Sequence, residues 1–205
     1  MNPKLRIKDN AKRVIDIVGA IAGLSFIAPF LPFIALAIKI DSEGPAFIKL
    51  VRISNGRSFY LYKFRTMVKN AHKLKPFLQY LNERNDGPFF KIKNDPRITR
   101  TGKWLRKFRI DEFPQLINVL RNEISLVGPR PYAPEEVSAY PENYKHLMQA
   151  KAGLTGLSQI NGSSQLSFQK TLELDDFYIK NQSLWLDLKI IVKTLLILFS
   201  DPTAV

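Results

Sequence analysis

The stretch RIDEFPQLINVLRNEISLVGPRP, residues 109–131, sets two adjacent carboxylates, Asp111 and Glu112, among basic residues and closes on Arg130 between two prolines. Such a pair can serve simply as the solvated start of a helix, where the dipole favours acids and keeps them ionised. Here it stands where a phosphate would otherwise collect, because Arg97, Arg100, Lys103, Arg106 and Lys107 recur at helical spacing just before it. Further upstream, Lys63 and Arg65 emerge at the end of a β-rich run as candidate anion ligands. The absence of cysteine excludes disulfides and thiolate metal sites, and two histidines, His72 and His146, argue against a histidine-built zinc centre or a Ser/His/Asp triad. Any catalysis therefore falls to carboxylates and cations.

These residues belong to a chain of 205, enough for one domain with a real core or for one domain plus a membrane element. Lys and Arg number 31 against 18 Asp and Glu, a net charge of +13 with a pI near 9.9. That balance calls for a polyanionic neighbour, whether nucleic acid, anionic lipid or a phosphorylated substrate. No internal repeat or low-complexity linker interrupts the chain.

The elements that must position the acids follow from the pattern. Two β-rich runs, near 46–53 and 58–66, flank Asn55-Gly56, the strongest short hairpin signal. Residues 68–84, rich in Lys and Leu, read as a helix, and DGPFF at 86–90 as a turn. Pro114 suits the first turn of a helix whose apolar positions are Leu116, Ile117 and Leu120. At the end of the chain, LWLDLKIIVKTLLILF (184–199) reads equally as an interfacial amphipathic helix, with Trp185 at headgroup level, or as a core helix.

Near the amino terminus, Ile17 to Ile38 is a run of 22 uncharged residues. As a straight helix it would reach roughly 33 Å, enough to cross a bilayer core of about 30 Å. Pro29 and Pro32 argue against a straight crossing, since each removes a helical amide and a kink leaves both arms too short to span. Basic residues also flank both ends, Lys4, Arg6, Lys8, Lys12 and Arg13 before and Lys39, Lys49 and Arg52 after. Cationic flanks stay on the cytoplasmic side, so a re-entrant helix that returns to one face accommodates both. A kinked span and a buried core helix are the alternatives. The chain thus reads as α+β: a mostly helical, membrane-associated single domain with an amino-terminal re-entrant helix and a small β-hairpin. Residues 1–41 form the basic segment and membrane helix, and 42–205 the catalytic part with interfacial amphipathic helices, one functional unit.

Taken in order, KRVIDI, GPAF, KFRTM, DPRITRTG, LRKFRIDEFPQLINVL, SLVGPRP, GLTGLSQINGS and LWLDLKI resemble the bacterial sugar transferase family, the monotopic polyprenyl-phosphate phosphoglycosyl transferases. The likeness runs from about Lys12 to Leu198. It implies transfer of a sugar 1-phosphate from a UDP-sugar to polyprenyl phosphate, with release of UMP and a need for Mg²⁺, at the cytoplasmic face of the bacterial inner membrane. It also implies roles: Asp111 as the nucleophile that becomes a covalent phosphosugar carrier, Glu112 as the metal ligand beside it, and Arg106 and Arg130 as phosphate ligands. In such a site cations must cancel the repulsion between an attacking carboxylate and a diphosphate.

The chain departs from the family pattern at Ala28-Pro29, where Ser-Pro is usual, at RISNGRSF, which is one residue shorter, and at Ala152-Gly153, where Pro-Gly is usual. Nucleic acid is not an expected partner, membrane lipid is, and a homo-oligomer stays open. Galactose, glucose, N-acetylgalactosamine and bacillosamine-type donors all remain compatible. Two rival readings are a membrane-tethered polyanion-binding protein and a non-catalytic subunit of a polysaccharide assembly machine. The first explains the basic stripe but leaves the acid pair and GPRP idle.

Overall fold

The computed structural model describes residues 3–200. Within the predicted basic flank, the side chains of Lys4, Arg6 and Lys8 lie outside what is described.

Two helices, α1 (Pro3–Ile27) and α2 (Leu31–Asp41), carry the apolar run and are separated by a 3₁₀ turn at Ala28–Phe30. The break falls at Pro29, whose missing amide cannot continue the α1 ladder. From Asn10 to Asp41 this is the one stretch among the described residues long and apolar enough to cross a membrane. Small residues on one face let α1 lie close to the rest of the molecule: Ala20 is buried, and the positions of Gly19 and Gly23 are filled from outside by Leu126 and Leu116. The opposite face leaves Val14, Val18, Ile21 and Phe26 exposed, and α2 exposes Phe33, Leu36 and Ile40.

Both ends of the apolar run are anchored to the same body. At its start, Lys12 Nζ donates to the Val127 carbonyl (3.0 Å) and pairs with Asp187 (2.7 Å), while the Arg13 guanidinium donates to the carbonyls of Val119 and Leu120. At its finish, Asp41 accepts from the Thr101 amide at 2.6 Å.

The expected hairpin is present as β1 (Phe47–Ser54) and β2 (Arg57–Phe64), antiparallel, with Ser54 opposite Arg57. Asn55 and Gly56 both take positive φ, 54° and 71°, as a two-residue hairpin turn requires. Leu61 and Phe64 point into the core. The helix expected over 68–84 is instead a single turn, α3 (Ala71–Leu74), followed by a 3₁₀ turn at Pro76–Leu81. Pro76 has no amide for the α-ladder, so the chain tightens into the 3₁₀ form.

Next come α4 (Arg100–Lys107), capped by the Thr99 hydroxyl accepting from the Gly102 amide, and α5 (Gln115–Leu120). A short parallel pair, β3 (Ser125–Val127) and β4 (Gly153–Thr155), brackets α6 (Pro134–Val137). The described residues end with α7 (Leu157–Ile160), α8 (Phe168–Lys180) and α9 (Leu184–Ser200). The last helix resolves the choice left open by its sequence in an unusual way. Its inward face buries Ile190 and Asp187, the latter paired with Lys12 and accepting from the Tyr178 hydroxyl at 2.7 Å. Its outward face is a stripe of Trp185, Leu188, Val192, Leu195 and Leu196.

Candidate active site

The acid pair does not begin a helix. After α4 the chain reverses at Arg109, which adopts a left-handed conformation (φ 53°), and Asp111 and Glu112 occupy a 3₁₀ turn at Ile110–Glu112 ahead of Pro114. This tight turn sinks Asp111 to 5% exposure and leaves Glu112 half-buried.

The ammonium of Lys63, projecting from β2, bridges the two: it lies 3.1 Å from Asp111 Oδ2 and 2.9 Å from Glu112 Oε1. Its register is fixed one residue away. Asn118 of α5, fully buried, accepts from the Tyr62 amide (3.0 Å) and donates to the Tyr60 carbonyl (2.7 Å) and to Glu123 Oε2 (2.6 Å). One amide side chain thus clamps α5 to β2 and holds the lysine opposite the acids.

Electrostatics sets the two acids apart. Burial and the neighbouring Glu112 push the Asp111 carboxyl above the ordinary range, more than Lys63 and Arg106 pull it down. Burial acts upward on Glu112 too, but Lys63, Arg109 and Arg130 prevail and hold it below. For Lys63, burial is outweighed by the two carboxylates and its ammonium is stabilised. Adjacent carboxyls pushed in opposite directions are how one site assigns them different tasks.

Beside this cluster lies a cleft of about 440 Å³. The acids and Lys63 do not line it, but Arg106 and Arg130 do, and these are the arginines whose charges act on Asp111 and Glu112 respectively. From α4, Arg106 donates through Nε to the Thr66 hydroxyl at 2.9 Å. Its contact with Thr66, two residues past the end of β2, depends on Gly102, since a Cβ there would stand 2.0 Å from the Thr66 carbonyl oxygen. In the turn after β3, Arg130 donates to Glu136 Oε1 at 3.1 Å and stacks over the Phe89 ring, 4.5 Å from its centroid.

Of the six sequence-predicted residues, four, Asp111, Glu112, Lys63 and Arg106, are therefore gathered around one point, and a fifth, Arg130, stands on the cleft wall beside them. Arg65 is not brought there. The strand ends at Phe64, and the Arg65 guanidinium is buried beneath the end of α2, donating to the carbonyls of Ile38 (3.2 Å), Ser42 (2.7 Å) and Glu43. The reason is the unsatisfied carbonyls that close any helix. Its expected role as an anion ligand is corrected to that of an internal helix cap.

Sequence reasoning passed over several cleft residues. Arg52, read as a membrane flank, lines the cleft, as do Phe89 and Phe90 from the supposed plain turn. Arg97, read as part of a stripe, is buried and bound through Nε and Nη2 to Asp95, at 2.9 and 2.6 Å. The two-residue spacing in DPR was the available signal for that pair. Asp175 carried none, because what it holds is distant in sequence. Asp175 accepts the hydroxyls of Tyr132 and Ser158, each at 2.7 Å, behind the Arg130 turn.

The donor set can be tested against a magnesium ion. Asp111 and Glu112 offer hard carboxylate oxygens side by side, while among the described residues no group of three His, Cys, Asp or Glu converges. Mg²⁺ is commonly held by one or two carboxylates and completed by water and substrate phosphate. The pair fits an ion shared with a diphosphate, not a cage built by protein alone.

The model of the family described as bacterial sugar transferase matches residues 7–201 of the chain. The galactosyl transferase CpsE of Streptococcus agalactiae serotype III is 43% identical over 187 residues, which cover 90% of this chain and 41% of that protein. The undecaprenyl-phosphate galactose phosphotransferase of Salmonella typhimurium is 36% identical over 206 residues, covering 93% of this chain and 42% of that protein. The exopolysaccharide production protein ExoY of Sinorhizobium fredii is 35% identical over 192 residues, covering 90% of this chain and 84% of its own length. The chain therefore spans about two-fifths of the first two relatives and most of the third.

Proposed function

Because this chain belongs to the bacterial sugar transferase family, we propose that it transfers a sugar 1-phosphate from a UDP-sugar to undecaprenyl phosphate, in two steps through Asp111. The observation that carries the reading is the Asp111–Glu112–Lys63 cluster set against a cleft walled by Arg106 and Arg130.

In the first step an Asp111 carboxylate oxygen attacks the β-phosphorus of the donor. The bond from that phosphorus to the bridging oxygen breaks, its electron pair leaves with UMP, and the sugar phosphate stays on Asp111 as an acyl phosphate. In the second, an oxygen of the lipid phosphate attacks the same phosphorus, the bond to Asp111 breaks, and the carboxylate is regenerated. One nucleophile thereby serves two anionic substrates in turn.

Attack by an anion on an anion needs fixed positive charge around it, and Arg106 and Arg130 are placed to meet the phosphate oxygens. Lys63 keeps the two acids together and orients them before the donor arrives. Glu112 is the residue that would hold Mg²⁺, which when bound neutralises charge on the diphosphate.

A polyprenyl acceptor keeps its phosphate at the headgroup plane, so the catalytic face must be held there. Both ends of the apolar run are tied to one body, and the run breaks at Ala28–Phe30 between them. That supports a shallow re-entrant dip, because a helix crossing the bilayer would leave one of those anchored ends on the far side. The exposed stripe of α9 would lie along the same surface. The reading places the chain on the cytoplasmic face of the cell membrane, at the lipid-linked opening step of a polysaccharide or glycoconjugate.

The test is release of UMP by purified protein in lipid nanodiscs given a panel of UDP-sugars, undecaprenyl phosphate and Mg²⁺. Wild type is expected to release UMP with at least one donor, and Asp111→Asn to release none. UMP from the Asn variant at the wild-type rate overturns the covalent route; silence from wild type across the panel overturns the activity.

A further inference from the structure

Residues 69–81 hold a surface that the proposed reaction does not use. Pro76 divides them into α3 and the 3₁₀ turn at Pro76–Leu81, and this irregular segment turns Phe77 and Tyr80 outward, 77% and 81% exposed, with Leu74 and Leu81 also exposed. Two rings standing this far into solvent, flanked by aliphatic side chains, are costly beside water and favourable at a lipid headgroup boundary. The same segment bears Lys69, Lys73, Lys75 and His72 and contains no acidic residue. Rings interleaved with cations suit an anionic bilayer surface, where the rings enter the boundary layer and the ammonium groups meet lipid phosphates.

Its position agrees. Lys69 Nζ lies 3.6 Å from Glu43 Oε2, and Glu43 stands two residues beyond the end of α2, where the apolar run leaves the bilayer in the reading above. The segment therefore starts level with the headgroups. Its far side reaches the cleft, for Lys75 sits over the Phe90 ring, 5.4 Å from the centroid, and both residues line the cleft wall.

We infer that residues 69–81 form a second lipid contact, which docks Phe77 and Tyr80 on an anionic membrane surface and sets the Lys75–Phe90 wall of the cleft at the plane of the lipid phosphate. This rests on the membrane association proposed above, and the two can fail separately.

Because the chain has no cysteine, single labels are unambiguous. Phe77→Cys and Tyr80→Cys carry the fluorophore NBD in the full chain, reconstituted in vesicles of POPC with POPG. Phe33→Cys on α2 serves as the apolar reference and Lys170→Cys on α8 as the aqueous one. The expected result is blue-shifted emission at 77 and 80, quenched by brominated acyl chains, and a larger shift with POPG than in POPC alone. Labels at 77 and 80 that match the Lys170 site while the Phe33 site is quenched overturn the second contact and leave the re-entrant helix standing. A Phe33 label that also remains aqueous overturns the membrane reading itself. Insertion that is equal with and without POPG overturns the part assigned to the lysines.

Discussion

Lys63 and Arg65 stand two residues apart with the same charge, and the fold uses them in opposite ways. Lys63 leaves the strand toward two carboxylates, whereas Arg65 turns under a helix end and meets carbonyls alone. Nothing in KFRTM distinguishes them, because the difference lies in the end of α2, more than twenty residues away. The acid pair was legible for the converse reason: two acids inside a basic stripe are conspicuous without any tertiary knowledge. The placements predict different phenotypes. Lys63→Met leaves two carboxyls facing each other and is expected to cut UMP release by roughly a hundredfold or more, the usual scale for loss of a group that orders reacting charge. Arg65→Met strands buried carbonyls and is expected to cost about 2–3 kcal/mol in denaturant stability, with the KM for donor unchanged in the protein that remains folded. A raised KM with normal stability would return Arg65 to the site. A third residue, Asp175, gives a pH test. It is fully buried, and burial lifts its pKa to about 6 from 3.8 although the Tyr132 and Ser158 hydroxyls and the Arg130 amide oppose the shift. A carboxyl with a raised folded pKa binds its proton more tightly in the folded chain. Its stabilising contribution is complete below about pH 4 and is lost as pH rises through about 6, at most about 3 kcal/mol. Asp175→Asn has no such slope, so the stability difference between wild type and variant is expected to move in the variant's favour over that interval. A difference that is flat with pH, measured by chemical denaturation, would show that Asp175 titrates like an exposed acid.

At the scale of elements, structure set by neighbouring residues is legible in the sequence, and structure set from a distance is not. Asn55-Gly56 dictates its own turn, so the hairpin was visible from the sequence. The segment 68–84 was not, because its Lys and Leu content masks the effect of one proline, and no pattern announces that a helix will dissolve into a 3₁₀ turn. The acid turn was misplaced for a related reason. Asp111 and Glu112 resemble helix-start residues, yet the reversal at Arg109 puts them in a separate tight turn, and that turn, not a helix dipole, is what buries Asp111. The element most exposed to a small change is α4. Its approach to Thr66 rests on a glycine against a backbone carbonyl, a contact that no side chain can enter without moving the helix. Gly102→Ala is expected to destabilise by about 1–3 kcal/mol, as overpacking commonly does, and to do more harm to function than its stability loss explains. Displacing α4 pulls Arg106 from Thr66, so the KM for UDP-sugar should rise several-fold at temperatures where the variant is fully folded. An unchanged KM would mean that Arg106 does not need α4 seated to meet the donor.

For the molecule as a whole, the excess of +13 is unevenly spread. The cleft wall carries seven Lys and Arg against three acids, while α1, α2 and α9 present apolar side chains outward. Charge and grease are thus assigned to different surfaces, as the proposed pairing of a soluble anionic donor with a lipid acceptor requires. The consequence is kinetic. A UDP-sugar approaching a concave cationic wall is drawn in from a distance set by the ionic atmosphere, about 30 Å at 0.01 M salt but only about 8 Å at 0.15 M. Raising salt across that interval should lower kcat/KM for the donor by roughly tenfold, the lower range of electrostatic steering. The value of kcat should change little, because Asp111 is buried and Lys63, Glu112 and Arg106 around it are half-buried, where salt screens less than at an exposed surface. Arg52→Gln tests the origin of the effect: it removes one wall cation that touches neither Asp111 nor Glu112 in the pairs observed, and it should flatten the salt slope while sparing kcat. If the slope is the same in wild type and Arg52→Gln, the donor is captured at short range alone and the basic wall serves only the bound state. If kcat falls with salt as steeply as kcat/KM, screening reaches the acid cluster itself, and the site is more open to solvent than its burial allows.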